Sequence, residues 1–362
     1  MNKLILLSTD RDLEDFVSRN CDANRLAIDT EFVRERTFFP CLCLVQLVIG
    51  DELVCVDTLK IRSLTPLADL FFATDCLKIL HAGKQDLEVL YQALGHVPAP
   101  LFDTQIAAGF CGFGDQIGYA DLTQALCDVQ LEKAHTRFNW KKRPLPEKVL
   151  AYAADDVRYL LPIYDKLRAN LDELERASWQ DAESGLLTNP ELYNQPVETA
   201  WTRVRGMARL SDPQWLVAGA LAAWREKTAR QEDRPRQWIM RDESLLDIAQ
   251  CDTVTIHSLT AIKGVPKQYV AELTQVVQQA HSGTPQHREP LPARLSNRQR
   301  TLVGQLLEIT RARGVELNIT PSTLATRRDI ENLVRGESNL PLHSGWRKKI
   351  IGDQLIDLLA GA

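Results

Sequence analysis

The chain has 362 residues, 44% of them hydrophobic and 25% charged, the make-up of an ordinary globular protein with two or three domains. Its N-terminus, "MNKLILLSTDRDLEDF", reaches acids after four consecutive apolar residues, too few for a secretory signal, and no apolar run approaches the length of a membrane span. The net charge of −5 hides an asymmetry, −10 up to Pro196 and +5 from Val197 onward, so only the rear half has an electrostatic case for contacting phosphates directly.

In chain order, Leu4–Leu7, Arg25–Phe32, Leu42–Ile49, Glu52–Val56 and Leu77–His81 read as short strands. Helical spacing marks 10–21, 61–72, 85–94, 104–112, 121–129 and 146–170. This alternation predicts an α/β domain with a mixed sheet covered by helices. Residues 112–118 and 132–144 read as loops. Eight cysteines form no C-x-x-C pair, and several sit inside apolar runs such as "CLCLVQL". They read as reduced core residues of a cytoplasmic protein rather than a zinc site or disulfide frame.

Beyond Leu192 the strand signal nearly vanishes. Two helical segments open on Ser211-x-x-Gln214 and Ser296-x-x-Gln299, each fitting a capping box. Each then carries apolar residues at helical spacing and ends on a glycine before a basic amphipathic helix, "GVPKQYVAELTQVV" and "GWRKKIIGDQLIDLL". The segment "SGTPQHREPLPARL" between them reads as a linker. The clusters "RARG", "RR" and "RKK" of this half are either phosphate contacts or a solvated helix surface. The expected domains are 1–196 (α/β), 209–281 and 295–362 (both small and all-α).

Carboxylates appear in three places where local structure does not ask for them. Asp29 and Glu31 end an apolar strand on one face, since side chains two apart on a strand point the same way. Asp86 falls in the first turn of a helix just after another strand, and Tyr152 and Asp156, four apart, share a helix face. Each has an ordinary alternative: an ion pair of Asp29 or Glu31 with Arg34 or Arg36, a helix-dipole position for Asp86, a core role for Tyr152. If the four acids converge, like charges about 5 Å apart repel by roughly 3 kcal/mol per pair at an effective dielectric near 20. Such a cluster needs cations, and hard oxygen ligands suit Mg²⁺ or Mn²⁺. Two such ions can activate water against a phosphodiester, with Tyr152 orienting or helping to deprotonate the attacking water.

The set "DTEF-x-RE…F-x-P-x-LCLVQL", "H-x4-D-x-x-VL", "FDTQIAA" and "W-x-x-RPL…AYAADDVRYLLPIY" closely resembles the ribonuclease D family. These are metal-dependent 3′→5′ exonucleases with four acids, in the subclass that has tyrosine in the third motif. The resemblance implies a ribonuclease H-like exonuclease domain followed by two helicase-and-RNase-D C-terminal (HRDC) domains, the second more divergent. It implies that Asp29, Glu31, Asp86 and Asp156 bind two divalent cations, Mg or Mn, and that Tyr152 positions the water. It also implies a monomer that hydrolyses RNA, with tRNA precursors bearing single-stranded 3′ ends as the expected substrate, to 5′-mononucleotides. Phe32 and Val33 would lie near the terminal nucleotide, and His81 would contact substrate or be a satisfied core histidine. In the basic loop Arg137–Leu145, Lys141, Lys142 or Arg143 would touch phosphates or remain solvated. Phe38 departs from the pattern, standing where tyrosine is expected. Truncation after Pro196 is expected to leave a folded but less processive or less selective nuclease. A DNA-directed exonuclease and a non-catalytic nucleic-acid-binding adaptor are the competing readings.

Overall fold

A computed structural model describes residues 3–132, 138–251, 253–282 and 294–361. Arg137 and most of the expected linker between the helical segments lie outside the described residues. The chain divides into two compact units, one of residues 1–32, 42–190 and 294–362, the other of residues 33–41 and 191–293.

The first unit is built on six strands: β1 (Leu4–Leu7), β2 (Arg25–Val33), β3 (Cys41–Ile49), β4 (Glu52–Val56), β5 (Leu77–Leu80) and β6 (Leu101–Asp103). They lie in the order β1-β4-β3-β2-β5-β6. β3 and β4 form an antiparallel hairpin turned through Gly50, whose φ of +53° suits a residue without a Cβ. β1 is parallel to β4, and β5 is parallel to both β2 and β6, so the sheet is mixed, as expected. Apolar side chains of β3 and β4 are buried along nearly their whole length, which requires cover on both faces. The helices supply it: α1 (Asp10–Arg19), α2 (Thr65–Phe71), α3 (Lys84–Leu94), α4 (Thr104–Phe110), α5 (Tyr119–Cys127), α6 (Glu147–Arg158), α7 (Leu160–Glu173) and α8 (Ala177–Leu186).

Three differences from the sequence reading have local causes. The helix expected over 146–170 is two helices, because Pro162 has no N–H to offer Arg158 and its ring crowds that turn. The hydroxyl of Tyr119 seals the break, accepting from the Tyr159 N–H at 3.1 Å and donating to the Asp155 carbonyl at 2.9 Å. β6, three residues long, is too short to show periodicity. The cysteines are free thiols, but Cys21 is exposed rather than part of the core.

Arg294–Ala362, expected to stand apart, packs into this same unit. Trp346 stacks on Trp179 of α8, ring centroids 4.7 Å apart, and meets Phe110 of α4 edge-on at 5.3 Å. Arg347 pairs with Glu183, which also accepts from the Trp346 indole at 3.0 Å. Arg176 is buried and donates to the carbonyls of Phe110 and Leu317 at 2.6 and 2.8 Å. At Gly112 a Cβ would stand 2.5 Å from the Asn318 amide, so the close approach there needs glycine.

In the second unit, helix α9 (Asp212–Gln231) has the predicted Ser211/Gln214 capping box. Its apolar face packs with α11 (Asp242–Ala249), reached through α10 (Arg236–Ile239), and with α13 (Val270–Ser282), which follows α12 (Ile256–Ala261). Glu226 is buried and matched by Arg203, Arg230 and Arg236. Phe38 joins this core, with the Arg236 guanidinium 4.5 Å above its ring. The hydroxyl missing there is therefore not needed for anchorage, because the ring face makes the contact. The Ser296/Gln299 box is likewise present at the start of α14 (Asn297–Glu316), in the first unit.

Candidate active site

The parallel pairing of β2 with β5 brings two acid-bearing segments to the same end of neighbouring strands. Asp29 and Glu31 sit near the end of β2, and the chain leaving β5 enters α3 with Asp86 on its first turn. That entry is held by Asp103. Its carboxylate accepts from the N–H groups of Ala82 and Gly83 at 3.1 and 2.9 Å, and also from Gln105 and Ile106 at the start of α4. α6 packs against β4 and delivers Tyr152 and Asp156.

One carboxylate oxygen each of Asp29, Glu31 and Asp156 lies within 4.8 Å of the others, the one grouping of its kind among the described residues. Asp86 is buried beside them, its Oδ1 accepting from the Thr30 hydroxyl at 2.6 Å. Among the described residues no lysine or arginine forms an ion pair with any of the four. Burial, then the charges of Asp86, Asp156 and Glu31, holds the Asp29 carboxyl well above the carboxylate range. Burial, then Asp156 and Asp86, pushes Glu31 up to about 8. Burial raises Asp86 to about 6 against the Thr30 hydrogen bond, and burial with Asp155 and Asp86 raises Asp156 to about 7. Tyr152 is raised to about 12, by burial and then by Asp156, Glu31 and Asp29. Clustered hard oxygen donors that raise one another fit a divalent-cation centre.

These shifts carry a stability test. Acids whose folded values lie above their unfolded ones favour the fold at low pH, and that contribution is lost as pH rises from about 4 through 6 to 8. In chelator, Asp156→Asn should melt above the wild type at pH about 8 by roughly 1–3 kcal/mol, after allowing for solvent at the open side, and the two should converge near pH 4. Mn²⁺ should raise the wild-type melting temperature at the higher pH and leave the variant nearly unchanged. Parallel melting curves across this range would refute mutual repulsion.

The other expected contacts divide. Phe32 and Val33 are half-buried at the end of β2. Lys141 and Lys142 are exposed. Arg143 is not free for phosphate: its guanidinium is paired with buried Asp57 at 2.8 Å and donates to the carbonyls of Trp140 and Cys43. His81 has both ring nitrogens engaged, Nδ1 with the Thr104 hydroxyl at 2.9 Å and Nε2 with the Ile117 carbonyl at 3.0 Å, and burial lowers its pKa. Both nitrogens of this half-buried ring thus have partners within the protein. Thr30 and Asp103, which the sequence reading did not single out, support Asp86. The signal for Asp103 was its place before "TQIAA", a capping position.

Residues 4–172 match a 3′–5′ exonuclease family model and residues 216–278 an HRDC domain model. Fold and acid cluster together thus define a 3′→5′ exonuclease of the divalent-metal-dependent class, followed by an HRDC domain. The chain is 37% identical to ribonuclease D of Gluconacetobacter diazotrophicus, over 99% of this chain and 93% of that one, and 36% identical to that of Bartonella henselae, over 100% and 91%. It superposes on Escherichia coli RNase D, described as an exoribonuclease involved in structured RNA processing, with a TM-score of 0.88 at 29% identity, covering 99% of both chains. The chain belongs to the ribonuclease D family and is a 3′→5′ exoribonuclease, acting on RNA. The adaptor reading is thereby set aside. Among the described residues no helix is long and apolar enough to cross a membrane.

Proposed function

We propose that Asp29, Glu31, Asp86 and Asp156 hold two divalent cations, Mg²⁺ or Mn²⁺, at which RNA is shortened one 5′-mononucleotide at a time. The observation that carries this is the convergence of three of these carboxylates within 4.8 Å, with Asp86 adjoining and raising Asp29 further. Bound there, two cations would acidify a water and offset charge on the attacking and leaving oxygens of the phosphodiester. The chain's own residues supply the geometry. Tyr152, one helical turn from Asp156, orients or helps to deprotonate the attacking water. Phe32 and Val33, just past the acids, border the terminal nucleotide, and exposed Lys141 and Lys142 meet backbone phosphates.

We assign tRNA precursors with unpaired 3′ tails as the substrates, a monomer as the working form, and residues 1–196, 209–281 and 295–362 as the domains, the last an architectural partner of the first. Incubating a 3′-tailed tRNA and a matched DNA strand with the protein in Mg²⁺ or Mn²⁺ tests the substrate. Stepwise loss of the RNA tail to 5′-mononucleotides, stopped by chelator, is expected. Faster loss of the DNA would favour the DNA-directed alternative.

A further inference from the structure

Gln46 is the polar intruder in "CLCLVQL". It is fully buried in β3, and neither Oε1 nor Nε2 of its carboxamide has a hydrogen-bond partner. Among the described residues it is the one side chain with two such atoms. Buried polar groups are nearly always paired, and a carboxamide left unsatisfied on both sides is a large penalty that a methionine or leucine of similar volume would avoid. Persistence of such a group points to a task performed in a different bound state.

Its neighbourhood says which task. Gln46 stands directly opposite Cys55 in the antiparallel β3/β4 ladder, so the two side chains share a face. Burial, then the negative charge of Asp29, pushes the Cys55 thiol up to about 12, with Arg158 opposing and Glu31 adding less. Cys55 is thus within electrostatic range of Asp29. β3 separates β4 from β2 in the sheet, so Gln46 occupies the strand between Cys55 and Asp29, roughly one strand spacing, about 4.8 Å, from β2. α6, which carries Asp156, packs on the same sheet over β4. A carboxylate bound to a cation through one oxygen leaves the other for an outer partner, and such partners set ligand orientation.

We propose that Gln46 is a positioning residue for Asp29, donating from its carboxamide, directly or across one ordered water, to the carboxylate oxygen turned away from the cation. The proposal rests on the metal-centre reading above. It explains why one polar residue interrupts an otherwise apolar strand beneath the site. Gln46 touches no substrate, so its loss acts through the cation and not through RNA binding.

The test uses the full-length protein and Mn²⁺ titrated by calorimetry. Gln46→Met keeps the volume and removes the amide, while Gln46→Asn keeps the amide and withdraws it by one methylene. Both should weaken Mn²⁺ binding about tenfold, lower kcat on single-stranded RNA at limiting Mn²⁺, leave KM for RNA unchanged and recover activity at excess Mn²⁺. Metal-free Gln46→Met should melt no lower than the wild type. Mn²⁺ affinity within twofold of wild type in either folded variant would overturn the proposal, since a core-filling role predicts that. If Gln46→Met does not fold, Gln46→Asn alone decides. Asp156→Asn run alongside separates the two readings: unchanged affinity there means that the metal centre itself is misassigned.

Discussion

Asp156→Asn is expected to lower kcat on single-stranded RNA by about three orders of magnitude while leaving RNA binding within a few-fold of wild type. The substitution is nearly isosteric, so α6 keeps its place. What changes is one negative oxygen within 4.8 Å of Asp29 and Glu31. Losing it weakens the hold on the cations that stabilise charge developing on the phosphodiester, and such stabilisation is commonly worth about 3–4 kcal/mol per group. Binding is spared because the basic residues from Val197 onward are untouched. Asp29→Asn should behave alike. Gel shift in Ca²⁺ and single-turnover hydrolysis in Mg²⁺ measure the two effects. Parallel loss of both, or residual turnover above about a tenth, would contradict the assignment.

Deleting residues 294–362 should destabilise the nuclease itself, against the sequence-based expectation that truncation after Pro196 leaves it folded. The deletion uncovers Trp179 and Phe110, now under Trp346, and strips buried Arg176 of its Leu317 carbonyl. Exposing two large aromatics costs about 2–3 kcal/mol each in lost burial, with about 1 kcal/mol more for each lost ring pair. A half-paired buried arginine adds to that. A fall of roughly 5 kcal/mol or more would consume much of an ordinary domain's stability. Urea unfolding of the exonuclease unit with and without the segment reports it. As a graded check, Trp346→Ala in the intact chain should lose roughly 3 kcal/mol. A truncated protein with an unshifted midpoint would show that this packing does little for the exonuclease unit.

Asp29 and Glu31 were legible because strand periodicity puts residues two apart on one face, and Tyr152 and Asp156 because helical periodicity does the same at four. Capping boxes at Ser211 and Ser296 were legible for a similar reason: their hydrogen bonds close within three residues. Arg143 and His81 were not. Both carry side chains that could serve RNA, and only partners 86 and 23 or 36 residues away, Asp57 for one and Thr104 and Ile117 for the other, show them already engaged. Thr30 escaped notice because its partner Asp86 lies 56 residues on.

By itself, the order of residues determined what is encoded within a few positions. That includes the run of strands and helices, the caps, and the pairing of acids on single elements. Its motifs together also pointed to the family. Tertiary structure decided which segments meet: that β5 lies beside β2, that α6 brings Asp156 to Asp29 and Glu31, that Arg294–Ala362 joins the exonuclease unit, and that Gln46 is buried unpartnered. The physical reason is range. Periodicity and capping act over one or two turns of chain, whereas burial and Coulomb repulsion depend on distance in space, which no local pattern records.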